Sequence, residues 1–172
     1  MTFSMVELQL HVAQQAVYDF EAETGNLPRV NEGEDARRVV ELANAFEAAH
    51  GVLGGMGLEV DPLVCARVAS HASVELQPMA AFFGGVVAQE VVKVAGKYTP
   101  IQQFLNLHAF SSLPDPPPPA SETAPLDCRY DDLVAVYGRT FVERLGEMRI
   151  FMVGCGALGC EFIKNFALLG VC

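Results

Sequence analysis

The 172-residue sequence is short of charge, and of positive charge most of all. Only 19% of its residues are charged, and 11 Lys and Arg stand against 21 Asp and Glu, a formal net charge of -10. A nucleic-acid surface needs cations to displace the phosphates' counterions, so this balance argues against DNA or RNA as a partner. It leaves room for a basic protein partner, although solubility alone accounts for it. Between Met1 and Leu10 there is no basic start followed by an apolar run, so no secretory signal is read. No run approaches the roughly 20 apolar residues of a membrane span, and no membrane is expected as a partner. The five cysteines, Cys65, Cys128, Cys155, Cys160 and Cys172, are odd in number and scattered, with no CxxC pair. That pattern argues against a disulfide scaffold or a zinc site, and a reducing compartment, cytosol or nucleus, is expected. His11, His50, His71 and His108 are isolated, there is no HExxH, and no Ser/His/Asp set stands out. No catalytic and no metal-ligating residue is therefore assigned.

Apolar residues make up 51% of the chain, enough for a real core and too many for a disordered segment. Val6, Leu10, Ala13, Val17 and Phe20 recur at three- and four-residue steps, which predicts an amphipathic helix over 6–24, stopped by Gly25. Asn31 stands three residues before Glu34, a capping-box spacing that predicts a second helix running to about His50 and ending at Gly51. Ala36, Val39, Ala43 and Phe46 line its apolar face. The Gly-rich stretch 51–57 reads as a loop, and Pro62 suits the first turn of a third helix through Ser70. Together these predict a small helical bundle. Its apolar stripes read as core, with a partner-binding groove as the alternative.

Pro78 opens a further helix to Ala95. Met79, Phe82, Phe83, Val86, Val87, Val91 and Val92 make it apolar on nearly every side, as in a helix buried in a larger body or lying on a sheet. Gly84 and Gly85 in its middle each cost roughly 1 kcal/mol against alanine, so a second backbone passing closely is expected there, with a ligand as the alternative. Gly96 ends the helix and residues 101–110 look strand-like. Pro114, Pro116, Pro117, Pro118, Pro119 and Pro125 make 111–126 an extended linker, taken as a domain boundary, with a ligand for a proline-recognising domain as the alternative. A short helix over 131–145 is then expected, with Val134, Val136, Tyr137 and Phe141 apolar, followed by a strand over 148–153. A last helix, 160–169, turns Phe162, Ile163, Phe166 and Leu169 inward. No internal repeat is visible.

Between that strand and that helix lies Gly154-Cys155-Gly156-Ala157-Leu158-Gly159. Strand, Gly-x-Gly-x-x-Gly and helix is the phosphate-binding turn of a doubly wound α/β fold. Gly154 permits a sharp turn, Gly156 lets an anion approach the backbone, and Gly159 lets the helix sit tightly. Free amides and the helix dipole then face the phosphate. A tight turn with no ligand is the alternative. The pattern does not choose the nucleotide, because the acidic ribose contact of such folds belongs about 20 residues further on. Cys155 and Cys160, flanking the turn, are expected as small packing residues.

Three glycines are common to many folds, but the surrounding residues are more specific. Phe151 to Glu161, followed by Lys164-Asn165-Phe166-Ala167-Leu168-Leu169-Gly170, resembles the start of the active adenylation domain of ubiquitin-activating enzymes. Arg129-Tyr130-Asp131 with Val134 to Gly138 is similar to the segment entering that domain. Asp132 and Leu133 stand where the family usually has Gly-Gln, so no phosphate contact is carried onto this segment. Pro78 to Lys93, with Ala81-Phe82-Phe83-Gly84-Gly85, resembles the family's inactive adenylation half, and residues 97–109 resemble the strand after it. Thr24 to Arg29 and the helices beside it resemble the inserted four-helix bundle.

The resemblance implies a fold and a division of the chain. The fold is an incomplete α/β adenylation fold of the ThiF/MoeB-like, Rossmann type with an N-terminal helical bundle. The division is bundle over 1–75, end of the inactive half over 76–110, proline-rich linker over 111–127 and start of the active domain over 128–172. It implies ATP and magnesium as cofactors, with Gly154, Gly156, Ala157 and Gly159 bordering the nucleotide. It implies ubiquitin or a related ubiquitin-like protein, a ubiquitin-conjugating enzyme and the remainder of the parent enzyme as partners. The implied reaction adenylates the C-terminal carboxylate of ubiquitin and then forms a thioester on a cysteine that matches none of these five. The family's ribose contact, magnesium aspartate, later Arg and Lys phosphate contacts and thioester cysteine would lie beyond Cys172, and an arginine from the inactive half before Met1. The 172 residues alone are therefore expected not to catalyse the reaction, and to expose apolar surface. The rival readings are a fragment of a dinucleotide-binding oxidoreductase, disfavoured by Lys164-Asn165, and a non-catalytic interaction module built on the bundle.

Overall fold

The computed structural model describes residues 5–171; the start of the segment read as lacking a leader, and Cys172, lie outside the described residues. The described chain forms two compact units, residues 5–74 with 106–108, and residues 75–105 with 109–171.

The first unit contains α1 (Met5–Thr24), α2 (Gly33–His50) and α3 (Pro62–Ser70), with a single 3-10 turn at Gly54–Met56. The stripe expected on α1 is buried from Leu10 to Phe20, with Gln9, Val12 and Ala16 beside it. Helix α1 ends where Gly25 adopts a positive φ of 78° and its N–H donates to the Glu21 carbonyl at 2.8 Å. The cap of α2 differs from the spacing-based expectation. Glu32 is the N-cap, its carboxylate accepting from the Glu34 N–H. Asn31, at φ 55°, instead donates its N–H to the Ser70 carbonyl at 3.2 Å, because the chain must turn there to meet α3. Asp61 caps α3, accepting from Leu63 and Val64 N–H, with Pro62 in the first turn where it forfeits no bond.

The core is one cluster of Val12, Ala13, Ala16, Val17, Phe20, Ala36, Val39, Leu42, Ala43, Leu53, Cys65 and Ala69. Small residues at Ala13, Ala16, Ala36 and Ala43 let the helices approach closely. Two polar side chains tie the connections to this core. Gln9 is buried, and its amide donates to the Glu59 carbonyl at 2.7 Å and accepts from the Asp61 N–H at 2.9 Å. The Glu47 carboxylate accepts from Leu53 N–H, at 2.9 and 3.0 Å to its two oxygens, and from Gly54 N–H at 2.8 Å. Two histidines of this unit bond the backbone one turn back. His50 stacks on Phe46 and bonds the Phe46 carbonyl at 2.9 Å, and His71 bonds the Arg67 carbonyl at 2.8 Å.

The second unit contains α4 (Gln77–Ala95), α5 (Ala120–Thr123), α6 (Asp131–Tyr137), α7 (Arg139–Glu147) and α8 (Ala157–Leu169). Helix α4 was expected to be buried, and none of its residues is. Phe82, Val87, Val91, Val92 and Val94 are all exposed. No backbone passes Gly84 or Gly85: a Cβ built on either meets nothing within 4 Å. The sequence expectation of no span-like run also needs correction, since α4 is long and apolar enough to cross a membrane by length and composition alone.

No β-strand forms among the described residues, so the strands expected over 101–110 and 148–153, and with them the α/β layering, are not present. The physical reason is pairing. A strand is held by a ladder of backbone hydrogen bonds to a neighbour, and neither stretch forms one. Side chains that a parallel strand would bury on both faces stay outside, Phe151 at 93% and Val153 at 87% exposure.

The helix expected over 131–145 is two helices, broken at Gly138, whose φ is 86°. The proline-rich stretch is not wholly extended. Its proline-free Ala-Ser-Glu-Thr window forms α5, and the Glu122 carboxylate accepts from Thr140 N–H at 2.9 Å and Thr140 Oγ1 at 2.8 Å. Arg139 Nη2 donates to the Ser121 carbonyl at 3.0 Å. A Cβ on Gly138 would come within 3.4 Å of Pro118 and 3.3 Å of Glu122, so this stretch lies inside the second unit. Leu133, Val134 and Val136 of α6 are its buried side chains, with Val171.

Candidate functional site

The glycine turn leads into α8. Gly154 takes φ 97°, a left-handed value that side-chain-bearing residues rarely adopt, and this lets the chain reverse at the end of 148–153. Gly156 is the N-cap of α8, with no side-chain cap hydrogen bond, and a Cβ there would meet nothing within 4 Å. Gly159 is buried, and a Cβ there would sit 2.5 Å from the Gly154 carbonyl oxygen. The three glycines thus have three different reasons: a backbone angle, an open approach and a close contact. Cys160 N–H donates to the Gly156 carbonyl at 3.0 Å as the helical ladder begins. The N–H groups of Ala157, Leu158 and Gly159 precede it at the positive end of the helix dipole. No acidic residue lies in the first turn to compete for them.

An anion cradle of this kind fits a phosphate: uncapped amides, a positive dipole end and an unobstructed N-cap glycine. The residues present do not fit magnesium, because no group of three or more His, Cys, Asp or Glu among the described residues is placed to hold a metal. Of the residues expected to border a nucleotide, Gly154, Gly156, Ala157 and Gly159 are brought together by the turn. Leu158, whose N–H belongs to the same set, was missed. The signal was available, since the first three helical amides are orphans whatever their side chains.

The side chains around the turn depart from expectation. Cys155 and Cys160, expected as packing residues, are exposed, and the Cys160 thiol donates to the Cys155 carbonyl at 3.5 Å. Phe162 and Ile163, expected inward, are exposed, while Phe166 and Leu169 are half-buried. Lys164 pairs with Glu161 one turn back. Asn165 donates to the Glu161 carbonyl at 2.9 Å, and its own side-chain oxygen is enclosed with no donor. An enclosed acceptor without a donor marks a place that a further group would complete. Tyr130 lies against Gly170, where a Cβ would come within 2.9 Å of the ring, and Arg129 lies over the Tyr130 ring at 5.3 Å. The Asp131 carboxylate accepts from the Leu126 N–H at 2.9 Å, which holds it below the usual carboxylate range.

Two family models match the chain. The four-helix bundle of ubiquitin-activating enzyme E1 matches residues 4–47, covering α1 and most of α2. The ThiF family matches residues 130–172, which contain the glycine turn. The chain is 42% identical over 163 residues to Ubiquitin-activating enzyme E1 1 of Arabidopsis thaliana, covering 94% of this chain and 15% of that protein. It is 44% identical over 164 residues to Ubiquitin-activating enzyme E1 2 of the same plant, with the same coverage of each. To Ubiquitin-like modifier-activating enzyme 1 of Homo sapiens it is 40% identical over 166 residues, 95% of this chain and 16% of the relative. The ThiF match supports the adenylation fold at the level of family, although the described residues carry no strand. With both models and 40–44% identity along nearly its whole length, the chain is similar to a fragment of a ubiquitin-activating enzyme, and it spans about 15% of the length of the relatives it matches.

Proposed function

We propose that this chain supplies a phosphate-binding turn to an ATP-dependent ubiquitin-activating enzyme. One observation carries the reading: the glycine turn, with its open N-cap glycine, falls inside the ThiF-matched stretch of a chain similar to such enzymes nearly end to end. ATP, when bound, supplies the adenylyl group that activates a carboxylate. Gly156 admits a phosphate to the backbone. The N–H groups of Ala157, Leu158 and Gly159 hold and orient it, and Gly154 and Gly159 keep the turn in the shape that aims them. None of these groups moves a proton or attacks a carbonyl, so the contribution is binding and positioning. Magnesium ligands come from elsewhere.

In this reading the carboxylate is the C-terminus of ubiquitin or a ubiquitin-like protein. The activated acyl group passes to a cysteine outside this set and then to a conjugating enzyme. The exposed apolar side of α4 is covered by the remainder of a longer enzyme rather than by lipid. Cytosol and nucleus are the expected locations.

The test is a segment exchange. These 172 residues replace the matching stretch of Ubiquitin-activating enzyme E1 1 of Arabidopsis thaliana, and ubiquitin-dependent exchange of labelled pyrophosphate into ATP is measured. The chimera retains exchange, Gly156→Val abolishes it, and the chain alone shows none. A folded chimera without exchange, or one indifferent to Gly156→Val, overturns the reading.

A further inference from the structure

We propose that Cys155 and Cys160 form a peroxide-oxidisable dithiol that closes reversibly into a disulfide alongside the glycine turn. With Gly156 as N-cap, Cys155 occupies the position before the cap and Cys160 the fourth helical position. These are the two positions whose side chains meet in a hydrophobic staple, so the helix start itself brings the thiols to one side. The contact agrees, since Cys160 Sγ lies 3.5 Å from the Cys155 carbonyl oxygen. A carbonyl oxygen is about 2.4 Å from its own Cα, which puts Cys160 Sγ within about 6 Å of the Cys155 Cα. Bridged cysteines have Cα atoms about 4.4 to 6.8 Å apart, so closure turns the two thiols toward each other and moves the turn as far as that span requires. Cys155 can make that movement, because Gly154 and Gly156 flank it and a Cβ on either would meet nothing within 4 Å.

Exposure separates this pair from the other described thiols. Cys155 and Cys160 are both open to a small oxidant. Cys65 is fully buried in the first unit's core, where burial pushes its thiol up to about 11. Cys128 is exposed but donates to the Asp131 carboxylate at 3.5 Å. In a reducing compartment an exposed pair of this kind rests reduced and forms its disulfide transiently.

The chemistry balances with hydrogen peroxide as oxidant. One thiol sulfur attacks the peroxide, giving a sulfenic acid and releasing water. The other thiol attacks that sulfur, the S–S bond forms, and the hydroxyl leaves with a proton as a second water. Two electrons pass from the two thiols to the peroxide. A dithiol reductant restores both thiols and departs as its own disulfide. None of these steps involves nucleotide, so the inference stands or falls apart from the proposed ATP role.

The test uses the full reduced chain, treated with one equivalent of hydrogen peroxide and quenched at intervals by alkylation. Tryptic cleavage after Arg149 and Lys164 leaves both cysteines on one peptide, 150–164. The expected result is that this peptide loses two hydrogens and resists alkylation, about tenfold faster in the native chain than in concentrated urea, and is restored by dithiothreitol. Cys155→Ser leaves Cys160 as sulfenic acid with no internal link. Equal rates in buffer and urea, sulfinic acid on both sulfurs without the link, or dominant pairing of either sulfur with Cys128 or Cys172 overturns the proposal.

Discussion

Asp35, in the first turn of α2, accepts from Arg29 N–H at 2.8 Å, Nε at 2.9 Å and Nη2 at 2.7 Å. These bonds, the guanidinium's first, hold its carboxyl at about 2 against an ordinary 3.8. A carboxyl depressed in the folded state stabilises fully above its unfolded value, and that contribution is lost as pH falls through the folded value. Asp35→Asn is therefore expected to lower the stability of the first unit by roughly 1 kcal/mol at pH 7, after allowing for screening at the exposed Arg29. The gap between variant and parent closes as pH drops from about 4 toward 2, which urea midpoints at the two ends would read. The glycines of the turn give a second residue-scale expectation. Gly159→Ala forces a Cβ onto the Gly154 carbonyl and distorts the turn, whereas Gly156→Ala meets open space and leaves stability unchanged. Thermal unfolding separates the two. In the segment-exchange chimera both lose pyrophosphate exchange, Gly159→Ala through distortion and Gly156→Ala by obstructing the phosphate. This scale was the most legible in the sequence, because the constraint on a glycine is local: an angle, an opening, or one close carbonyl. The cap of α2 was not, because Asn31 answers to Ser70, 39 positions away in sequence.

At the scale of elements, the apolar content of α4 was readable and its environment was not. The paired glycines looked like a sacrifice of helix propensity for close packing, yet nothing lies within 4 Å of either position. Gly84→Ala and Gly85→Ala are accordingly expected to stabilise α4 in this chain by roughly 1 kcal/mol each, seen as a gain in helical circular dichroism and a later melt. In the segment-exchange chimera, where the proposed remainder of the enzyme covers this helix, the same changes are expected to be neutral or harmful. Improvement in both settings would remove the packing explanation for these glycines. Helices α1, α2 and α3 behaved differently because each carries an apolar stripe whose partners are the other two. Leu53→Ala, at a fully buried position between α2 and α3, is expected to cost roughly 2–5 kcal/mol, measured as a urea-midpoint shift in the first unit.

For the whole molecule, the two units differ in how completely each buries its apolar residues. The first closes a core of its own. The second buries chiefly Leu133, Val134, Val136 and Val171, and leaves Phe82, Val91, Phe151, Val153, Leu158 and Phe162 exposed. Hydrogen exchange is expected to find slow amides in α1, α2 and α3 and fast ones in α4 and α8, with a hydrophobic dye binding the chain until the second unit is removed. Uniform slow exchange across both units would contradict this.

The sequence by itself determined the local features: where helices start and stop at Gly25, Gly51 and Pro62, which stripe each presents, and the glycine turn with its family context. Each depends on a few neighbouring residues, and helices satisfy their hydrogen bonds within the segment. Only the tertiary structure decided that Glu32 caps α2, that Gly138 breaks a helix, that α5 forms inside the proline-rich stretch, and that 148–153 has no strand partner. These outcomes depend on what lies alongside, and a backbone amide in a strand, unlike one in a helix, must find its partner in another part of the chain.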